Sequence, residues 1–164
     1  MNKLLITLTA IVFLTSCAKK KPTIYKNDTD SHDWINQKTV RDVPTPHSGP
    51  SSCVIDSTYI YSLGLSKTIE EIGTGKFKEV EFTYWVYAKS DKAKVSTVFS
   101  VDFNGQNIDW EGRPVTIREL NTWIEVHETY KLSAKAQPNN QLTIYALNGS
   151  KEELLIDDLQ FEFK

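Results

Sequence analysis

The stretch Phe77-Lys-Glu-Val-Glu-Phe-Thr-Tyr-Trp-Val-Tyr-Ala88 decides the fold class. Its apolar positions fall on one parity, Val80, Phe82, Tyr84, Val86 and Ala88, and the other parity holds Glu79, Glu81, Thr83, Trp85 and Tyr87. A period of two places alternate side chains on opposite faces of a strand, so one face is buried and the other is partly wet. Lys94 to Phe103 behaves the same way, with Val95, Thr97, Phe99, Val101 and Phe103 opposed by Ser96, Val98, Ser100 and Asp102.

Outward from this pair, further strands are predicted at Ser52 to Asp56, Tyr59 to Ser66, Thr122 to Leu132, Leu142 to Asn148 and Leu154 to Phe163. The only helical candidates are short, at Lys67 to Ile72 and Val115 to Leu120. Turn residues punctuate the runs: Pro44 and Pro46, Ser48-Gly49-Pro50, Gly73 and Gly75, Asn104-Gly105, Pro138-Asn139-Asn140 and Asn148-Gly149. Asn-Gly tolerates the positive φ of tight hairpins, so both such pairs read as hairpin turns. Many short strands with regular turns predict an all-β, antiparallel sandwich.

The chain of 164 residues has room for one ordinary domain, and 40% hydrophobic with 11% aromatic residues suffices for a packed core. Residues 1–22 hold four basic and no acidic residues, which leaves fifteen basic against twenty-one acidic groups in the remainder. A net negative domain is a poor partner for nucleic-acid phosphates, whose affinity comes from clustered Lys and Arg, so no nucleic-acid role is expected.

Lys3 followed by the apolar run Leu4 to Leu14 has the layout of a secretory signal. Eleven helical residues rise roughly 16 Å, about half a hydrocarbon core, so the run is short for a transmembrane span. It ends in Leu14-Thr15-Ser16-Cys17, which resembles the lipobox of bacterial lipoproteins. That resemblance implies a signal peptide at 1–16, removed before Cys17, and lipidation of Cys17 (diacylglycerol on sulfur, palmitate or a similar acyl chain on nitrogen). Several acyl chains give stable anchoring in a lipid bilayer. Ala18, in place of an inner-membrane retention aspartate, favours the outer membrane, and the lack of an acidic run after Cys17 favours the periplasmic face. Residues 17–29, with Lys19 to Lys21 and Pro22, read as a tether, and 30–164 as the folded domain.

Several spaced features of the domain resemble the galactose-binding-like jelly roll: Pro46-His47-Ser48-Gly49, Ser51 to Asp56, Tyr61-Ser62-Leu63-Gly64-Leu65, Trp85-Val86-Tyr87-Ala88, Asn121-Thr122-Trp123 and the closing Leu155-Ile156-Asp157-Asp158-Leu159. The family includes non-catalytic carbohydrate-binding modules and envelope lipoproteins, and the resemblance spans roughly residues 30–164. It implies a structural calcium ion, with a carboxylate from Asp157 or Asp158, a backbone carbonyl from His47 or Gly49, and a second acid from Asp30 or Asp33. Oxygen ligands and hard acids suit that ion. Independently, Asp157 shares parity with Leu155, Leu159, Phe161 and Phe163, so its carboxylate lies on the apolar side unless a bulge intervenes. The alternative to calcium is a carboxylate capping backbone N–H groups.

Sugar recognition uses flat aromatic rings against C–H faces, with amides and carboxylates for the hydroxyls. Trp85 and Tyr87 on the wet parity, with Trp110, Asn107 and Asp109 in a loop-like stretch, are the candidate ligand platform. The alternative is that this parity faces the other sheet or is covered by a loop. The jelly-roll resemblance places Trp123 in the core, and Trp34 reads similarly; His127 reads as a surface or hydrogen-bonded residue. Cys53 is the only cysteine besides Cys17, so the domain has no internal disulfide, and it reads as a small buried apolar residue. The histidines form no metal-protease pattern, Gly73-Thr74-Gly75-Lys76 lacks the first P-loop glycine, and no nucleophile elbow occurs. No catalytic residue is assigned, and the domain is expected to be a non-enzymatic binder, with a glycan as ligand. The alternative is an accessory lipoprotein docked on another envelope protein; a small glycan-active enzyme ranks last.

Overall fold

A computed structural model describes residues 22–27, 34–73 and 77–164. Cys17, Asp30 and Asp33 lie outside them. Among the described residues ten strands run in the order β1 (Thr23–Asn27), β2 (Val40–Asp42), β3 (Ser51–Ile55), β4 (Tyr61–Thr68), β5 (Glu79–Ala88), β6 (Val95–Phe103), β7 (Gln106–Val115), β8 (Trp123–Lys131), β9 (Gln141–Asn148) and β10 (Leu154–Phe163). A short α-helix, α1 (Ile69–Gly73), follows β4, and a single 3-10 turn at Gln37–Thr39 precedes β2.

The strands form two antiparallel sheets. The first has the order β2-β3-β10-β5-β8, with β1 also paired to β10; the second has the order β4-β9-β6-β7. β3 covers Leu154 to Ile156 along one edge of β10, and β1 covers Leu159 to Phe163 farther along. Thr23–Asn27 is therefore part of the sheet, although its polar composition reads as tether. Five backbone pairings to β10 outweigh that composition.

The inward parities of β5, β6 and β9 meet in one core. Phe82 stacks on Phe161 with ring centroids 4.4 Å apart and on Tyr84 at 4.6 Å, while Phe99 stacks on Tyr130 at 4.9 Å. Trp34 packs on Phe161 at 5.0 Å and is buried, as its sequence reading expects. The Tyr84 hydroxyl, buried with the ring, shares a 2.9 Å hydrogen bond with Thr97 Oγ1, which satisfies both groups across the two sheets.

Three sequence expectations change. Residues 106–115, read as loop-like, form the edge strand β7: the Asn104-Gly105 turn, with φ of 50° and 76°, folds it directly back on β6. Val115 to Leu120 is not helical. Asn148-Gly149 is not a hairpin turn, because β9 and β10 belong to different sheets and this segment crosses between them. There the Asn148 side chain accepts from the Ser150 backbone N–H and donates to the Glu152 carbonyl.

Candidate functional site

The outer face of the four-stranded sheet carries an aromatic arc. Register places Tyr61, Gly64 and Ser66 of β4 beside Leu147, Tyr145 and Thr143 of β9, then Ser96, Val98 and Ser100 of β6, then Pro114, Gly112 and Trp110 of β7. All of these share one outward parity. Tyr61 and Trp110 are 47% and 54% exposed, which makes them the two most exposed aromatic rings among the described residues.

The arc is held by contacts within the face. Tyr61 meets Tyr145 edge to face at 5.4 Å. The Trp110 indole lies across Gly112, and its N–H is within hydrogen-bonding reach of the Tyr145 phenol. Burial pushes the Tyr145 phenol up, the neighbouring Tyr61 adds to this, and the Trp110 hydrogen bond works against it. Tyr145 thus stays a neutral donor in ordinary buffers. The floor is small, with Gly64, Val98 and Gly112, so the rings can lie down over the sheet and leave Val98 fully covered.

A polar flank closes the end of the face. The Asn107 side-chain amide donates to Ser100 Oγ at 3.1 Å, to Asp102 Oδ1 at 3.2 Å and to the Asp109 carbonyl at 3.1 Å. Ser100 Oγ donates to Asp102 Oδ2 at 2.6 Å. On the β9 side, Gln141 donates to Ser66 Oγ, which also bonds Thr143 Oγ1 at 2.9 Å. These groups are fixed by one another, so they present hydrogen-bonding atoms in set positions.

The structure divides the residues expected to form one platform. Trp110 and Asn107 lie on the arc. Asp109 has the inward parity of β7 and accepts a 2.7 Å hydrogen bond from the Tyr130 hydroxyl, closing the edge between the sheets. Trp85 and Tyr87 lie on the outer face of the other sheet, where the His47 ring stacks on Trp85 at 4.0 Å and 17°. This is the covered-by-a-loop arrangement. Trp123 is on that outer face too, rather than in the core: it pairs in register with Tyr87 and meets its ring at 5.4 Å. His127 is exposed and bonds Thr83 Oγ1 at 3.1 Å. The arc's other rings, Tyr61 and Tyr145, escaped the sequence reading, although Thr143, Tyr145 and Leu147 share the wet parity of their strand.

The expected calcium ligands form a different device. A bulge at Asp157 and Asp158, with Asp158 at φ 47°, switches the parity of β10, so Asp157 lies beside Trp85 under the His47 loop. Asp157 Oδ2 accepts from the His47 N–H at 3.0 Å, from the Ser48 N–H at 3.4 Å and from Ser52 Oγ at 2.8 Å; Oδ1 accepts from the Asp158 N–H at 2.9 Å. Asp158 takes Ser48 Oγ at 2.6 Å and His47 Nδ1 at 2.5 Å. Burial pushes the Asp157 carboxyl up, and the hydrogen bonds from Ser52, Asp158, His47 and Ser48 oppose it. Both carboxylates are thus engaged by the His47 loop through its N–H groups, the Ser48 hydroxyl and the His47 ring nitrogen, the capping arrangement that was the alternative to calcium, while Asp30 and Asp33 lie outside the described residues. Among the described residues no group of three His, Cys, Asp or Glu is placed to hold a metal. Gly49 serves the loop as a turn residue at φ 56°.

Comparison with solved structures places the fold. The CBM22-2 xylan-binding domain of Xyn10C from Paenibacillus barcinonensis superposes with a TM-score of 0.60 at 15% identity, over 85% of this chain and 99% of that one. The fold is the galactose-binding-like jelly roll. The CBM22-1 xylan-binding domain of the same enzyme gives 0.55 at 18% identity over 89% and 97% of the two chains. A further CBM22 xylan-binding domain gives 0.57 at 12% over 85% and 93%. No protein-family model matches the sequence, and no curated protein does. The jelly roll here is thus shared in shape at low identity, and its outer faces carry the chemistry particular to this chain.

Proposed function

We propose that the domain binds a glycan chain, without catalysis, on the aromatic arc Tyr61, Tyr145 and Trp110. The observation that carries this reading is Trp110, a large ring more than half exposed yet seated against a glycine. A flat, exposed and immobilised ring offers apolar area at small ordering cost, which is what stacking on a pyranose C–H face requires. The arc crosses four strands, about 14 Å at the usual strand spacing, so its ligand is an extended segment of several sugars. The polar flank at Asn107 and Asp102 supplies hydrogen-bonding atoms for hydroxyls. That the neighbours in fold are xylan-binding domains supports the ligand class.

The same proposal places the domain at a membrane through acylated Cys17, with the outer membrane as its site. The lipobox-like Leu14-Thr15-Ser16-Cys17 supports it. Affinity electrophoresis through gels containing soluble polysaccharides tests the binding half. Retardation on at least one glycan, lost in Trp110→Ala, is expected; unchanged mobility on every glycan would refute it. Radiolabelled palmitate entering the parent but not Cys17→Ser tests the anchor.

A further inference from the structure

At the Tyr61 end the arc runs into a second feature. A cavity of about 140 Å³ opens there, lined by Asn36, Lys38, Thr39, Tyr59, Ile60 and Tyr61 among others. Tyr61 belongs to both, so the cavity continues the face around the edge strand β4. It is a small, open recess, of a size to take one substituent and not a chain.

The charge in this cavity sets it apart. Lys38 is exposed, and its ammonium sits 4.9 Å above the Tyr59 ring. No carboxylate among the described residues forms an ion pair with it. The acid nearest in the loop, Asp56, is already matched: it accepts the Thr58 and Tyr59 N–H groups and pairs with Arg41 at 3.5 Å. Two of the other polar walls are spent inward, while the Thr58 hydroxyl and the Tyr59 and Tyr61 phenols also line the opening. The Asn36 amide donates to the Ser62 carbonyl, and the Thr39 hydroxyl donates to the Asn36 carbonyl at 2.7 Å and lies 3.1 Å from Cys53 Sγ. Lys38 is the one charged group among the residues that line this cavity, on a domain whose net charge is otherwise negative.

We propose that this cavity is a subsite for a carboxylate-bearing sugar, a uronic acid carried as a side group on the glycan chain that lies along the arc. The inference rests on the glycan-binding reading. The Tyr59 and Tyr61 rings flank the sugar, and the Lys38 ammonium neutralises its carboxylate.

The test uses one uronate-substituted polysaccharide, the same polymer after carboxyl reduction, and a sulfate-ester polymer of similar charge density. Binding of the parent, Lys38→Gln and Trp110→Ala is measured by calorimetry. The expected result is that carboxyl reduction weakens the parent about fivefold. Lys38→Gln should bind both forms alike at the weaker level, and Trp110→Ala should lose both. A parent indifferent to carboxyl reduction, or a Lys38→Gln variant that weakens equally on both forms, overturns the subsite while leaving the arc intact. Stronger binding of the sulfated polymer overturns the carboxylate assignment. A parent that binds none of the three overturns the glycan reading and the subsite with it.

Discussion

The Trp110 indole occupies the space that a side chain at Gly112 would need: a Cβ there would lie 2.4 Å from Cη2 and about 3.0 Å from Cζ2. The glycine is not required by a turn or a positive φ. It is required by the ring above it. Gly112→Ala should therefore tilt Trp110 off the sheet and weaken glycan binding about tenfold, with a small change in melting temperature because both residues sit on an outer face. Calorimetry alongside a thermal melt checks this; full affinity in Gly112→Ala would show that the seated ring is not what the ligand uses.

The bulge at Asp157 and Asp158 fixes the His47 loop. Asp157→Ala strips the half-buried N–H groups of His47 and Ser48 and the buried Ser52 hydroxyl of their acceptor, at a cost of about 3 kcal/mol. Because His47 covers Trp85, the same variant should also make tryptophan emission more sensitive to an aqueous quencher. Equal quenching of parent and variant would mean that the loop is held by other contacts.

Cys53 is fully buried, its sulfur accepting the Leu63 N–H at 3.1 Å. Burial pushes its thiol up to about 11. Since the thiolate is the reactive form, the folded domain should resist thiol reagents near neutral pH and react only on unfolding in denaturant. Stoichiometric labelling of the native domain at Cys53 would contradict the packing of β3 against β4.

Acid should act on stability in two opposed ways. Asp56, Glu71 and Glu81 are held below the usual carboxylate range by hydrogen bonds from Tyr59 and Thr58, from Thr68 and from Lys164. Their stabilisation is present above that range and is lost as pH falls through their lowered values. Asp157 is raised, so its folded form takes up a proton first, and stability from this group grows as pH falls toward the usual range. Urea midpoints measured downward from neutral pH should stay level or rise slightly before they fall. A steady loss beginning well above the carboxylate range would count against the Asp157 environment.

Much of the sandwich was legible because its strands bury one parity. The alternation in 77–88 matches β5 residue for residue, with Val80, Phe82, Tyr84, Val86 and Ala88 all buried. Strands at the edges were harder to read. β7 faces inward with Asp109, Glu111 and Arg113: Tyr130 donates to Asp109, and Arg113 pairs with Glu128 across the open edge and with Glu111 on its own strand, so these positions carry no apolar parity. The site was half legible for a related reason: parity says which rings share a face of one strand but not which sheet that strand joins. Trp85 and Trp110 therefore looked alike until the topology put them on opposite sheets. The role of Asp157 turned on a bulge, and one inserted residue reverses a face without altering composition.

If Cys17 is acylated as proposed, β1 also limits how far this domain can stand from the bilayer. Only six chain steps separate Cys17 from Thr23, a reach of about 20 Å when fully extended. With Cys17 acylated, the leash is shorter than the sandwich is tall. Thr23 lies at the end where helix α1 abuts it and β4 finishes at Thr68, while Tyr61 begins β4 at the opposite end. The polar flank would then rest near the lipid headgroups, and Tyr61 with its lysine-marked cavity would point outward, where a polymer passing over the bilayer is met first.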